Sequence, residues 1–352
     1  MTGRRRIERS IAAVAVLGLI LWPVLFNGHS YWVSYILTQT FVFGIAAASL
    51  IFLSAYGGMV SLAQVALYGI SGYVLGNIVL QGEAKGLHLG WNPWLGVLLA
   101  IVITTAVAAV FGAVAARSTG IYFLMITLTY AVIATSFFLS VTIFGGFSGV
   151  AGMDSFTPGP VGHPTEQPAR LYYIGLGVSI LVYALFRFIL RTPFGLALQG
   201  IRDEPVRMTS LGYNVPLHRM IAFTLAGFVA SLSGVLYSWS IGAVAPDTLG
   251  VSATVDLLII AVIGGLARLE GAWVGAFAFV VINNYVRDVS VPLVGGGFNT
   301  IIGLIFLAII IVSPDGLMGV WERATRLFLD LRRGRTPPTV GAQPAVPGAG
   351  SR

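Results

Sequence analysis

Cysteine is absent from the 352 residues, so a disulfide framework and a thiolate metal site are both excluded. Charge is nearly as scarce: Asp, Glu, Lys and Arg make up 9% of the chain, against roughly 25% in ordinary soluble domains. Lysine occurs once, as Lys85, which leaves no GxxxxGK[ST] loop to cradle a phosphate and excludes ATP hydrolysis by that route. His29, His88, His163 and His218 are far apart and show no i, i+4 metal spacing. The carboxylates are spread thinly, without the intramembrane cluster of acids that ion-driven carriers use. No catalytic residue and no metal site is expected.

What fills the chain instead is apolar. Hydrophobic residues make up 57% of it, and the mean hydropathy is +0.89. Runs near 10–27, 33–54, 60–80, 93–116, 119–143, 170–190, 217–240, 254–268, 271–287 and 298–313 are candidates to cross a hydrocarbon core of roughly 30 Å as helices. A helix satisfies its own backbone hydrogen bonds, which lipid cannot do. The expected fold is therefore all-α and polytopic, with about eight to ten transmembrane helices. Arg268 and Glu270 divide the pair 254–268 and 271–287, which reads equally as one bent or re-entrant hairpin. The 44 glycines, scattered through apolar runs, point to close helix packing and broken helices.

Orientation follows from the basic residues. With the amino end inside, ten spans put every Lys and Arg except Lys85, Arg170 and Arg287 on the cytoplasmic side, as the positive-inside rule asks. Both termini are then cytoplasmic, in a bacterial plasma (inner) membrane. The net charge of +7 is explained by topology and anionic headgroups, without nucleic acid. The first apolar run also reads as a signal peptide, although only "NGHSYW" follows Phe26, with no small-x-small cleavage pattern. Residues 1–320 form the expected membrane domain. Residues 321–352 are basic and Pro/Gly/Ala-rich, a tail unable to bury a core.

The most charged interior stretch is "GIRDEPVRMTSLGYNV", residues 200–215. Pro205 suits a first helical position, Asp203 and Glu204 ahead of it suit the positive helix end, and Gly212 supplies a left-handed stop. A helix of about two turns over 205–211 is too short to stand alone. Its Val206, Met208 and Leu211 need cover, which either the membrane surface or a soluble partner would provide.

Polar residues inside apolar runs mark a candidate path, because an unpaired polar group in lipid is costly. They are Ser61, Gln64, Tyr68, Asn77, Thr127, Thr129, Tyr130, Asn283 and Asn284, with Asp256 of "SATVDLLIIAVIGG" as the one carboxylate. Each also has a plain structural reading, since Ser and Thr bond back to their own helix and Asp256 falls near a span end. "GGMVSL" (57–62) and "GGLARL" (264–269) share a Gly-Gly opening and a following leucine, a faint echo of an internal repeat with discontinuous helices. The Gly/Pro-rich outer loop 145–168, with Asp154 and Glu166, is either a contact for an external protein or a connector.

Residues 192–238, "TPFGLALQGIRDEPVRMTSLGYNVPLHRMIAFTLAGFVASLSGVLYS", resemble the coupling-loop region of branched-chain amino acid ABC importer permeases, the LivM-type members of the LivH/LivM pair. "GGMVSLAQVALYGISGYVLG" (57–76), "TGIYFLMITLTYA" (119–131), "FGGFSGVAGM" (144–153), and "VIGGLARLEGAWVGAFAF" (262–279) with "SPDGLMG" (313–319) are similar to further stretches of that family in the same order. The resemblance implies a transport subunit that is not itself an enzyme, importing leucine, isoleucine and valine. Its implied partners are a LivH-like second permease, two cytoplasmic ABC ATPases that hold ATP and Mg, an external substrate-binding protein and membrane lipid. Arg202, Asp203, Glu204, Pro205, Val206, Arg207, Met208, Leu211 and Gly212, within a coupling loop 192–216, are implied to contact the ATPase. Ala63 and Leu67 depart from the family's glycine and phenylalanine, and Glu270 from an apolar or aromatic residue. Urea, short amides or an aromatic-derived acid therefore stay open as substrates, and a secondary amino-acid carrier or a channel as other classes.

Overall fold

A computed structural model describes residues 32–80, 87, 89–153, 157–159, 161–162 and 168–294, with Gly18 and short pieces between 303 and 319. The runs 10–27 and 298–313 and the tail 321–352 lie largely or wholly outside the described residues. The other eight runs are helical. A wide turn, Trp32–Leu37, leads into α1 (Thr38–Gly57), followed by α2 (Gln64–Val79), α3 (Pro93–Ala115) and α4 (Ile121–Ser140). Then come α5 (Pro168–Ile189), two short helices α6 (Pro193–Asp203) and α7 (Pro205–Ser210), α8 (Val215–Ile241), α9 (Val251–Gly264) and α10 (Gly271–Val294). The protein is an all-α, multi-spanning membrane protein. Among the described residues five helices are long and apolar enough to cross a membrane, namely α1 with its leading turn, α3, α4, α5 and α8, while α2, α9 and the apolar part of α10 are shorter.

Local chemistry sets the ends. Prolines open helices where a missing N–H is harmless: Asn92 caps α3 ahead of Pro93, and Thr192 caps α6 ahead of Pro193. Asn214 caps α8 by accepting the Leu217 N–H at 3.2 Å. Glycine closes them: α1 ends into Gly58 (φ +65°) and α8 into Gly242 (φ +73°). The only strands among the described residues are two-residue pieces, β1 (Val150–Ala151) and β2 (Ala243–Val244), which pair antiparallel and pin the start of the 145–168 loop over the end of α8. Asp154 and Glu166 of that loop lie outside the described residues.

Small residues let α8 occupy the centre. Along α3 the buried positions Gly96, Ala100, Thr104, Ala108 and Gly112 recur every fourth residue, one face of a helix, while Leu98, Val102 and Val110 point outward. A Cβ on Gly227 of α8 would stand 2.3 Å from Ala108 Cβ, and one on Gly234 would stand 2.0 Å from Tyr68 O, so these backbones meet closely. α1 is 94% buried across its apolar window and α3 22%, which makes α1 a core helix and α3 a peripheral one.

The hairpin question at 254–287 resolves into two helices joined by a tight turn. Gly264, Gly271 and Gly275 permit the contact: a Cβ at Gly264 would meet Gly271 O at 1.9 Å, and one at Gly275 would meet Ile260 O at 2.1 Å. At 1.5 Å per residue α9 is roughly 21 Å long, short of a full crossing. Both Gly-Gly breaks share a spacing. Gly57 and Gly264 end a helix, Gly58 and Gly265 take positive φ (+65° and +105°), and the next helix starts at Gln64 or Gly271, the same interval after the first glycine.

Candidate functional site

Two features stand at opposite ends of the bundle and are joined by a continuous set of contacts. The helix directions bring Arg117, Arg187, Arg191, Arg202, Arg207, Arg219 and Arg268 to one end. There α6 and α7 form a bent pair outside the spans. Gly200 is tight against Met208, where a Cβ would sit 2.9 Å from Met208 Sδ, so the two helices abut. Pro205 opens α7, and its last turn closes with Gly212 at φ +89°. Glu204 stands at the N-cap but makes no side-chain cap bond, and Asp203 ends α6 and pairs with Arg202 at 2.7 Å. That bond holds the Asp203 carboxyl below its ordinary range. Val206 is 77% exposed and Leu211 65%, an apolar knob that nothing in the described chain covers.

The inner face of α6 is anchored. Leu198 and Ile201 are fully buried, and Phe194 stacks on His218 of α8 at 5.6 Å. Arg202 Nη1 donates to Ala55 O at the end of α1, and its stem lies over Gly58, where a Cβ would meet Arg202 Cγ at 2.7 Å. The α6–α7 pair is thus fixed directly to the Gly57–Gly58 break.

From that break the chain turns back into the bundle without helical structure until Gln64. Ser61 therefore precedes the third span's helix and is not part of it, a correction to the reading of 60–80 as one run. Its hydroxyl accepts the Ala63 N–H at 3.3 Å and the Gln64 Nε2–H at 3.4 Å. Gln64 Oε1 lies 3.1 Å from the Ser49 hydroxyl of α1. Thr127 of α4 accepts the Leu62 N–H at 3.1 Å, satisfying a backbone donor that lipid would leave unpaired. All three residues, Ser61, Gln64 and Thr127, are fully buried.

Above this break, toward the opposite end, a cavity of about 640 Å³ opens between α1, α2, α8, α9 and α10. It brings together four residues singled out by sequence, Tyr68, Asp256, Asn283 and Asn284. It adds Gln39, Tyr237 and Asp247, which sequence reasoning passed over. Gln39 sits in the apolar run "ILTQTFVF", where one amide was a visible signal, while Asp247 in "APDTLG" looked like a loop acid. Tyr68 and Tyr237 face each other at 5.0 Å, and Phe43, Val65, Ile260 and Phe279 supply apolar wall.

The remaining candidates lie elsewhere. Asn77 is a clamp, donating to Tyr73 O at 2.9 Å and accepting the Leu87 N–H at 2.9 Å. Tyr130 stacks on Phe111 at 4.1 Å and donates to Phe111 O at 3.1 Å, joining α4 to α3. Thr129 is exposed on the outer face of α4 and bonds back to Met125 O at 2.9 Å.

A sequence family described as "Branched-chain amino acid transport system / permease component" matches residues 32–314. The chain belongs to that family. It is accordingly a transport permease of the branched-chain superfamily, a component of ABC-type transport systems. Among curated relatives, this family member is similar to the high-affinity branched-chain amino acid transport permease LivM of Salmonella typhimurium, 23% identical over 94% of this chain and 78% of that protein. A probable LivM of Methanocaldococcus jannaschii is 24% identical over 86% of this chain and 94% of its own length. The fructose import permease FrcC of Rhizobium meliloti is 24% identical over 73% and 70%. No solved structure matches the permease chain.

Proposed function

We propose that this chain is the LivM-like membrane subunit of an ATP-driven importer of branched-chain amino acids, with residues 192–216 as the surface that receives the ATPase. The observation that carries the reading is the exposed knob of α7, seated on α6 and tied through Arg202 to the break beneath the cavity. A chain with no phosphate-cradling loop must receive the closing motion from outside, and a short rigid pair of helices fixed to a break in the bundle transmits it as a body. Covering Val206 and Leu211 contributes at most about 1.5–3 kcal/mol each, against which the cost of association is set, so the knob is one part of a larger docking contact.

In this reading two cytoplasmic ATPases hold ATP and Mg, and a LivH-like permease completes the path. An external binding protein delivers substrate, and both termini are cytoplasmic in a bacterial inner membrane. Residues 1–320 form the membrane domain, and 321–352 an unpacked basic tail. Ser61, Gln64, Tyr68, Thr127, Asp256, Asn283 and Asn284 serve the path or its hinge, while Asn77 and Tyr130 hold helices together. Because Ala63, Leu67 and Glu270 depart from the family's usual residues, urea or short amides form the second substrate arm.

The test is uptake of labelled leucine, with labelled urea alongside, in cells lacking the gene and given the native chain or a Gly212→Val, Glu204→Lys double variant. Restoration by the native chain alone supports substrate and coupling together. Full restoration by the inserted variant overturns the coupling role, and unchanged uptake in all strains overturns the leucine assignment.

A further inference from the structure

The cavity is one-sided in its chemistry. Asp247 and Asp256 both line it, none of the described Lys or Arg side chains does, and neither carboxylate is ion-paired among the described residues. Gln39 is 3% exposed, spends its Nε2–H on Ser240 Oγ at 3.2 Å, and leaves Oε1 without a hydrogen-bond partner. A buried amide oxygen with no donor costs free energy that a ligand donor recovers. Around these acceptors the wall is apolar and aromatic, the usual build of a small-molecule site with a few polar groups fixing orientation.

We propose that this cavity selects solutes carrying an ammonium or amide N–H donor beside a small apolar body, and rejects carboxylic acids that lack one. The inference rests on the permease reading above and narrows its substrate class: an amine, an amide or a zwitterion enters, and a simple organic acid does not. Asp256 and Asp247 draw the positive group, Gln39 Oε1 accepts its N–H, and Phe43, Val65 and Ile260 contact the body. Asp256 is exposed on the cavity wall, where a solute can reach its carboxylate.

The absence of native cysteine makes a single reporter thiol unambiguous. Ser252→Cys, on the cavity wall, is reacted in nanodiscs with a cationic aminoethyl methanethiosulfonate and with its anionic sulfonatoethyl counterpart, and Val206→Cys on α7 serves as the reference site. The cationic reagent is expected to react at Ser252→Cys about ten-fold faster, relative to the reference, as a cleft lined by one sign of charge concentrates its counter-ion. Adding Asp256→Asn or Asp247→Asn, both at exposed positions, is expected to reduce that preference. Isoamylamine should protect the thiol, and 4-methylpentanoate, with the same branched body and no amine, should not. Equal rates at both sites, or protection by the acid as strong as by the amine, would overturn the proposal. Because no ATPase enters this measurement, a failure of docking leaves it standing, and its own failure leaves the coupling reading standing.

Discussion

Gly212 is where a single methyl-bearing side chain should disconnect the permease from its motor without unfolding it. Its φ of +89° is a conformation L side chains adopt at a cost, and a Cβ built there meets nothing within 4 Å. The cost of Gly212→Val is therefore chiefly backbone, about 1–2 kcal/mol for a residue held left-handed, with open space around the added Cβ. That is small beside the stability of the bundle, so the variant should insert and purify. It is large beside a docking equilibrium, because 1–2 kcal/mol is a factor of about 5–30 in population. Gly212→Asn, which tolerates the left-handed region, should fall between glycine and valine. Titrating purified ATPase onto nanodisc-held permease reads the series directly. Native-like affinity for the valine variant, or a valine variant no weaker than the asparagine one, would refute the claim that the closed end of α7 positions the docking knob.

Other substitutions separate packing from coupling. Gly234→Ala forces a methyl to within 2.0 Å of Tyr68 O and should lower the yield of folded, monodisperse protein sharply, whereas Gly177→Ala, with nothing within 4 Å, should leave it unchanged. Thr127→Ala orphans the buried Leu62 N–H and should destabilise by about 1–3 kcal/mol in a thermal melt, while Thr127→Ser, which keeps the acceptor, should recover most of it. Glu270→Gln keeps an acceptor for the Tyr183 hydroxyl now at 2.7 Å and loses only the 3.6 Å pair with Arg187, whose side chains are 46% and 38% exposed; the melt should shift by less than about 1 kcal/mol.

Much of the architecture was legible because lipid leaves few options. Long apolar runs, with proline at helix starts and glycine at their ends, located α1, α3, α5 and α8 to within a few residues. The turn residues Pro205 and Gly212 also marked α7, since each acts through its own backbone. What sequence hid was depth. Nothing local distinguishes a helix that crosses from one that starts mid-bundle, so the apolar run begins four residues before the α2 helix and Ser61 precedes it. Polar candidates divided in the same way. Tyr68, Asp256, Asn283 and Asn284 converge, whereas Thr129 turns outward and Asn77 and Tyr130 tie loops and helices, because a polar side chain in an apolar run announces a partner without naming it. Gln39, Tyr237 and Asp247 reach the cavity only through packing of α1 against α8 and of the 246–249 turn, which no single run records.

The central claim is that α7 is the contact through which ATP-driven motion enters this chain. Cross-linking from Val206→Cys in the otherwise cysteine-free permease, purified with its ATPase subunits, tests it most directly, with Leu98→Cys on the outer face of α3 as the control position. The account predicts a permease–ATPase cross-link from Val206→Cys whose yield changes when ATP is added, and none from Leu98→Cys. A complex that transports with ATP yet gives no cross-link from Val206→Cys would contradict it.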